Sequence, residues 1–410
     1  MSADTYKIER LGHKGDGVAS GPVFVHRSLP GEVVGGDVVD GRIARPRIVT
    51  PSTDRVSPPC RHYKSCGGCG LQHARDEFVA NWKQQIVRDA LSANDLAADI
   101  RGLHTSPARS RRRAVFSATR TKSGAIVGFH GAQSETITAV SDCVVITKNL
   151  RDAIPLLEQA TILGGSRKAE IKYTVTDTEE GIDVDATGGH EPDVALRLRL
   201  SELVARTPIA RLTWNGEQIV QKVLPRVSFD GVSAPFPPGA FMQATREGEE
   251  AIRASVVEAL EGCKGPIVDL FAGLGTFSLP LAKHFEVHAV EGEASLTEAL
   301  EAGWRHAKGL RQVTVETRDL FRRPLLPDEL NRFAGIVLDP PRAGAAAQIA
   351  EIARSNVSVV VHVSCNPVTF ARDAAKLTES GYDLVWIDVV DQFRWSSHTE
   401  LVSLFKRKKS

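Results

Sequence analysis

The chain has no excess of either charge: 51 Lys and Arg stand against 50 Asp and Glu over 410 residues. Bulk charge therefore announces no nucleic-acid partner, and only its distribution carries information. No apolar run approaches the length of a membrane span; the longest, around Val357 to Val363, is broken by Ser358 and His362. Met1 to Gly17 mixes acids, bases and glycines without a hydrophobic signal segment, so a cytoplasmic protein with no membrane association is expected. There is no internal repeat. Cysteines number six and are unevenly placed, which in a cytosolic chain argues against a disulfide framework. What remains is ordinary globular material, 42% hydrophobic and 25% charged, which excludes wholesale disorder and leaves length for two or three domains.

The composition changes character along the chain. Gly15 to Ala19 leads into Val23-Phe24-Val25, and Leu29 to Val34 leads into Val38-Val39 and Ile43. Short β-rich runs between turn signals at this spacing predict a small barrel. Thr50 to Pro59 turns to Pro, Ser, Thr and charge, a linker composition. Phe78, Trp82, Ile86 and Val87 then recur near helical spacing. From about Arg109 to Phe229 the patterns are mostly strand. They include a hairpin of Ile171 to Val175 with Ile182 to Val184, and a second across Asn215-Gly216, the strongest short hairpin signal. After Pro235 a helix, Arg246 to Glu261, precedes the apolar strand Ile267 to Leu270, and helices and strands alternate from there. Further strands are expected at Val287 to Val290, Ile336 to Leu338, Val357 to Val363, Leu384 to Val389 and Leu401 to Phe405. That alternation predicts a doubly wound parallel sheet.

Asp269 to Phe277 joins a strand to a helix through Gly273 and Gly275, letting the backbone approach a nucleotide-like ligand. A dinucleotide fingerprint would carry a third glycine where Ser278 stands. The second strand ends in Glu291, placed to accept from ribose hydroxyls, and Asp319 follows the third strand, in position to face an adenine amino group. Glycine loop, ribose acid and third-strand acid in register resemble class I S-adenosylmethionine-dependent methyltransferases. One strand later, Asp339-Pro340-Pro341-Arg342 forms a rigid exit on the ligand side. Cys365 then falls at a strand tip within Ser364-Cys365-Asn366-Pro367, and Glu400 precedes the last strand, a solvated cap or a base.

Taken in order, Cys60-x5-Cys66-x2-Cys69 running into Gly70-Leu71-Gln72-His73, Phe241-Met242-Gln243, Asp-Pro-Pro-Arg, Ser-Cys-Asn-Pro and His398-x-Glu400 resemble the RNA 5-methyluridine methyltransferase family over essentially the whole chain. The resemblance implies an α/β fold. Its parts would be an OB-like TRAM β-barrel (residues 1–55), a mostly β central domain with the cysteines (56–235) and a class I, Rossmann-like methyltransferase domain (236–410). It implies methylation of uracil C5 in RNA, with Cys365 as nucleophile and Glu400 as proton acceptor. It assigns Gln243, Phe271, Glu291 and Asp319 to S-adenosylmethionine, beside Gly273, Gly275 and Thr276 of the loop, with Asp339 where cofactor and uracil meet. The family commonly has Asn at the positions of Thr245 and Thr276, and Pro-His-Thr where this chain has Arg394-Trp395-Ser396.

By the same match Cys60, Cys66, Cys69 and Cys143 are the four ligands of a 4Fe-4S cluster. Zinc is the physical rival, since four thiolates suit it too, although the solitary fourth cysteine departs from the usual paired pattern. The expected partner is RNA, with 23S ribosomal RNA ahead of transfer RNA, and the expected state is a monomer. Cytosine C5 as the target, or a non-catalytic iron–sulfur RNA-binding protein, are the competing readings. For RNA contact the sequence offers Arg109, Arg111, Arg112, Arg113, Arg120 and Lys122 in an acid-free stretch, and a second basic block at Lys406 to Lys409.

Overall fold

The computed structural model describes residues 5–132 and 134–408 and carries them mainly on three large sheets. The first has six strands in the order Arg42–Ile43, Val23–Val25, Gly17–Ala19, Thr5–Leu11, Val33–Gly35, Arg47–Thr50. It curves round a small core of Ile8, Val25, Val34 and Ile43, a half-barrel compatible with the expected TRAM-like barrel. Lys409, the end of the second basic block, lies outside the described residues.

The second sheet has seven strands spanning Arg113–Arg120 to Glu217–Gln221 and includes both expected hairpins. Asn215 and Gly216 have φ of 49° and 83°, the paired left-handed residues of a tight hairpin turn. The mostly-strand reading of this region missed two helices, Lys148–Gly164 and Val194–Ala205. Each is started by a side chain: Thr147 accepts from Leu150 N, and Asp193 accepts from Leu196 N at 2.7 Å. The second helix supplies the crossover that the parallel pair Gly181–Thr187 and Ile209–Trp214 demands.

The third sheet carries the chemistry. Its eight strands run in the order Val313–Thr317, Val287–Glu291, Ile267–Leu270, Gly335–Leu338, Val359–Ser364, Glu400–Arg407, Tyr382–Asp391, Ile100–Thr105. The first five are parallel, and Glu400–Arg407 inserts antiparallel. Both faces are sealed by apolar clusters, so the central strands are apolar on either side, as in Ile336, Val337 and Leu338. The chain order reverses around Ile267–Leu270, which opens a crevice at the carboxyl ends of the strands. The far edge strand, Ile100–Thr105, and the helix before it, Asp76–Ser92, which packs on helix Pro367–Glu379, come from the segment read as central. The eight-stranded sheet is thus not contiguous in sequence.

Candidate active site

The loop after Ile267–Leu270 turns on two glycines that do different jobs. Gly273 has φ 54° and open space where a Cβ would sit, so it leaves room in the crevice. Gly275 has φ 91°, and a Cβ there would meet Leu279 and Leu300 at 2.9 Å; it lets the following helix close on the sheet. Phe271 is held left-handed at φ 62°, and its ring meets Phe321 at 5.5 Å. Glu291 accepts from Gly273 N at 3.0 Å, Gly292 N at 2.7 Å and Glu293 N at 3.0 Å, which fixes its carboxylate at the tip of the second strand. Asp319 accepts from Phe321 N at 2.9 Å. Inside the strand, Asp269 is fully buried; one oxygen accepts from Ser278 Oγ at 2.6 Å, the other has no partner, and burial pushes its pKa up to about 7.

Asp339 sits one strand away, its carboxyl also raised to about 7 by burial. Gln243, itself buried, donates from Nε2 to Asp339 Oδ2 at 3.3 Å and accepts from Gln392 Nε2 at 2.5 Å, while Gln392 Oε1 accepts from Ala244 N at 2.7 Å. An amide relay thereby ties the Phe241-Met242-Gln243 segment to the strand tips. Thr245, the departure noted above, caps helix Arg246–Ala259 and meets Ser106 Oγ at 2.7 Å.

The strand register sets Cys365 and Glu400 opposite each other. Ser364 pairs with Leu401 across the antiparallel ladder, so Cys365 and Glu400 occupy the next facing positions at the same end of the sheet. Burial is the main cause lifting the Cys365 thiol to about 11, with Glu400 and Asp339 adding to it and the Arg342 guanidinium opposing. Glu400 is 4% exposed and its carboxyl rises to about 8, first from burial and then from Asp339, with Gln392, Arg342 and Lys83 pulling the other way. Arg342 also donates to His398, whose pKa falls to about 4, so that ring stays neutral. Burial thus biases the thiol and both carboxyls toward their neutral, protonated forms.

The four cysteines Cys60, Cys66, Cys69 and Cys143 line one cavity of about 240 Å³, together with Tyr63 and Arg111. Burial raises the Cys60, Cys66 and Cys69 thiols, the last to about 12, and each feels its neighbours. Among the described residues, no three His, Cys, Asp or Glu side chains converge closely enough to hold a single metal ion.

The arginine run divides. Arg112 is buried and donates to Glu249 at 2.6 Å and to the Gln243 carbonyl at 3.2 Å; Arg113 donates to the carbonyls of Ala240 and Gly239. Those two brace the Gln243 segment, and only Arg109, Arg120 and Lys122 stand exposed. The sequence reading did not single out Lys83, Gln392 or the partnership of Ser278. Lys83 was legible: it falls on the apolar stripe of its helix between Val79 and Val87.

Fold and site together define a class I methyltransferase. The sequence profile of the tRNA (uracil-5-)-methyltransferase family matches residues 195–408. An RNA methyltransferase of Rhizobium meliloti, of uncharacterised specificity, is 40% identical over 99% of this chain and 100% of its own. The 23S rRNA (uracil(1939)-C(5))-methyltransferase of Vibrio campbellii is 31% identical over 98% of this chain and 95% of its own. Among solved structures, the Pyrococcus abyssi tRNA (uracil-54, C5)-methyltransferase in complex with S-adenosyl-L-homocysteine superposes with a TM-score of 0.77 over 98% of this chain and 99% of that one, at 23% identity. The chain belongs to the tRNA (uracil-5-)-methyltransferase family and is, by that membership, an RNA (uracil-C5-)-methyltransferase.

Proposed function

We propose that this enzyme uses S-adenosylmethionine to methylate uracil C5 in 23S ribosomal RNA through a covalent adduct on Cys365. The observation that carries the reading is the facing of Cys365 and Glu400 beyond the Ser364–Leu401 pair, with Asp339 close enough to raise both pKa values. S-adenosylmethionine, when bound, supplies an electrophilic sulfonium methyl. The cradle suits it: space over Gly273, a main-chain-fixed Glu291 for ribose, the Phe271 ring, and carboxyls whose ionisation a cation would favour.

The remaining chemistry falls to the chain. The Cys365 thiol, with Arg342 stabilising its anion, gives its proton to solvent, and the thiolate adds to uracil C6, moving the C5–C6 π pair to an enolate at C5 and O4. C5 takes the sulfonium methyl as the methyl–sulfur bond breaks, its electron pair staying on sulfur as neutral S-adenosylhomocysteine. Glu400 then accepts the C5 proton, the electron pair re-forms the C5–C6 double bond, and the C6–Sγ bond breaks to return the thiolate. A uracil stacked within folded RNA must turn out to reach Cys365, and Phe241, 61% exposed beside Arg113, offers a stacking face at the mouth.

RNA as the partner is supported by a cleft of about 1140 Å³ between the barrel and the cysteine segment. Arg27, Arg42, Arg45, Arg55, Arg61 and Lys64 line it, with no acidic side chain. The ribosomal target is favoured over transfer RNA by the Vibrio campbellii relative, which matches along its whole length. The four cysteines around one cavity offer a thiolate ligand set for a 4Fe-4S cluster, with zinc as the rival that thiolates suit equally. Cytoplasmic location and a monomeric state fit this work on RNA. The test is nucleoside mapping of RNA from a strain lacking the gene. One 5-methyluridine should vanish from 23S RNA and return with the wild-type gene; loss from transfer RNA alone would refute the ribosomal target.

A further inference from the structure

Helix Asp76–Ser92 turns Val79, Trp82, Val87 and Leu91 into the protein, and Lys83 goes in with them, its side chain 0% exposed. An ammonium cut off from water needs an acceptor for each of its three protons. Lys83 Nζ donates to Asp391 Oδ1 at 2.5 Å, to the His398 carbonyl at 2.8 Å and to the Phe393 carbonyl at 3.2 Å. Two acceptors, Phe393 and His398, lie in the connection between strands Tyr382–Asp391 and Glu400–Arg407, and Asp391 is the strand residue that opens it. Asp391 and Phe393 lie at its start and His398 near its end, so the ammonium ties the neck of the loop two residues before Glu400.

The tip of that loop is held as well. Trp395 is left-handed at φ 61° and 7% exposed. Its carbonyl accepts from Gly70 N at 2.9 Å and Leu71 N at 3.0 Å, and its indole donates to Asp76 Oδ1 at 3.0 Å. Arg394 donates to the other Asp76 oxygen at 2.5 Å. A non-glycine residue in this conformation is strained and persists only where its surroundings dictate it. A buried ammonium is likewise a poor way to add stability, since well-packed apolar side chains do as well or better. Both features make sense if the shape of the loop matters for its own sake.

We propose that Lys83, with Trp395 as a second anchor, is a positioning residue for the removal of the C5 proton: it fixes the loop that presents Glu400 opposite Cys365. The inference rests on the reading of Glu400 as proton acceptor.

Lys83→Met, in the full-length protein, keeps the length of the side chain and removes its charge and donors. Affinity for S-adenosylhomocysteine should stay within about twofold and KM for RNA should barely move. kcat should fall at least about tenfold, the loss expected for buried charge-assisted hydrogen bonds. The RNA–protein adduct on denaturing gels should accumulate, because addition and methyl transfer precede the slowed step. Glu400 faces Lys83, Arg342 and Asp339 and accepts from Gln392, so removing Lys83 makes it harder to ionise and moves the acidic limb of the kcat profile to higher pH. Trp395→Phe, which loses the indole donor and part of a buried ring, should give the same signature at about threefold or more. It also decides the matter if Lys83→Met is insoluble. Wild-type adduct levels and pH profiles in these variants would overturn the proposal, as would cofactor affinity falling in step with kcat, the mark of a merely structural role. Full turnover by Glu400→Gln would instead refute the reading beneath it.

Discussion

Ser278 donates its hydroxyl to Asp269 at 2.6 Å in a fully buried pair. The residue that breaks the dinucleotide fingerprint is therefore the partner of the strand-end acid that such a fingerprint does not require. Asp269 has its pKa raised above the ordinary 3.8 to about 7, so the folded state holds a proton that the unfolded chain releases between those values. Stability from the neutral form is present below about pH 4 and declines as pH rises through 7. Ser278→Ala should cost about 1–3 kcal/mol, more at about pH 8 than at about pH 5, because an ionised carboxylate needs the donor most. Thermal melts at the two pH values check this; equal losses would show that Asp269 does not titrate there.

The facing of Cys365 and Glu400 yields a pair of opposite signatures. RNA containing 5-fluorouracil should trap wild-type enzyme covalently, since fluorine does not leave as a proton, and Cys365→Ala should form no adduct. Glu400→Gln should trap ordinary uridine RNA and lose about a hundredfold or more in turnover, the scale of a lost general base. A Cys365→Ala adduct as abundant as wild type would remove Cys365 from the mechanism.

Asp339 and Glu400, raised to about 7 and about 8, give the cofactor pocket a charge that depends on pH. S-adenosylmethionine carries a sulfonium and S-adenosylhomocysteine does not. The affinity ratio in favour of the sulfonium should climb between about pH 6 and about pH 9, by roughly threefold or more, as both carboxyls ionise. Calorimetry at both ends measures it; a flat ratio would mean that neither carboxyl faces the sulfur.

Anaerobically purified protein should contain about four irons and absorb broadly near 400 nm, where thiolate-to-iron charge transfer falls. Cys69→Ser should lose the band. Zinc in place of iron, with no band, would count against the cluster.

What could be read from the sequence followed the period and the chemistry of each segment. The strands of the third sheet were legible because central parallel strands are apolar on both sides, and the turns because Asn215-Gly216 and Gly273 serve conformations few other residues allow. The helices Lys148–Gly164 and Val194–Ala205 were hidden in a region read through its hairpins. Membership of Ile100–Thr105 in the third sheet was out of reach, since its partner lies near the other end of the chain and no local pattern encodes that pairing. The same limit applies to Arg112. In a basic run it resembles a phosphate contact, and only the fold reveals Glu249 opposite it.

The return of an early segment to a late sheet also sets an order of events in biosynthesis. Lys83 and Asp391 are 308 positions apart, so at usual elongation rates the helix waits roughly 15–60 s for its acceptors. Through that interval its ammonium has water as the only full solvent, and the helix has reason to stay undocked. The catalytic sheet is then closed from outside by a segment, Asp76 to Thr105, made long before it. A fragment beginning after residue 105 would expose a raw sheet edge and leave Asp391 without its cation, so the catalytic sheet is a folding unit only together with the segment that carries Lys83 and Ile100–Thr105.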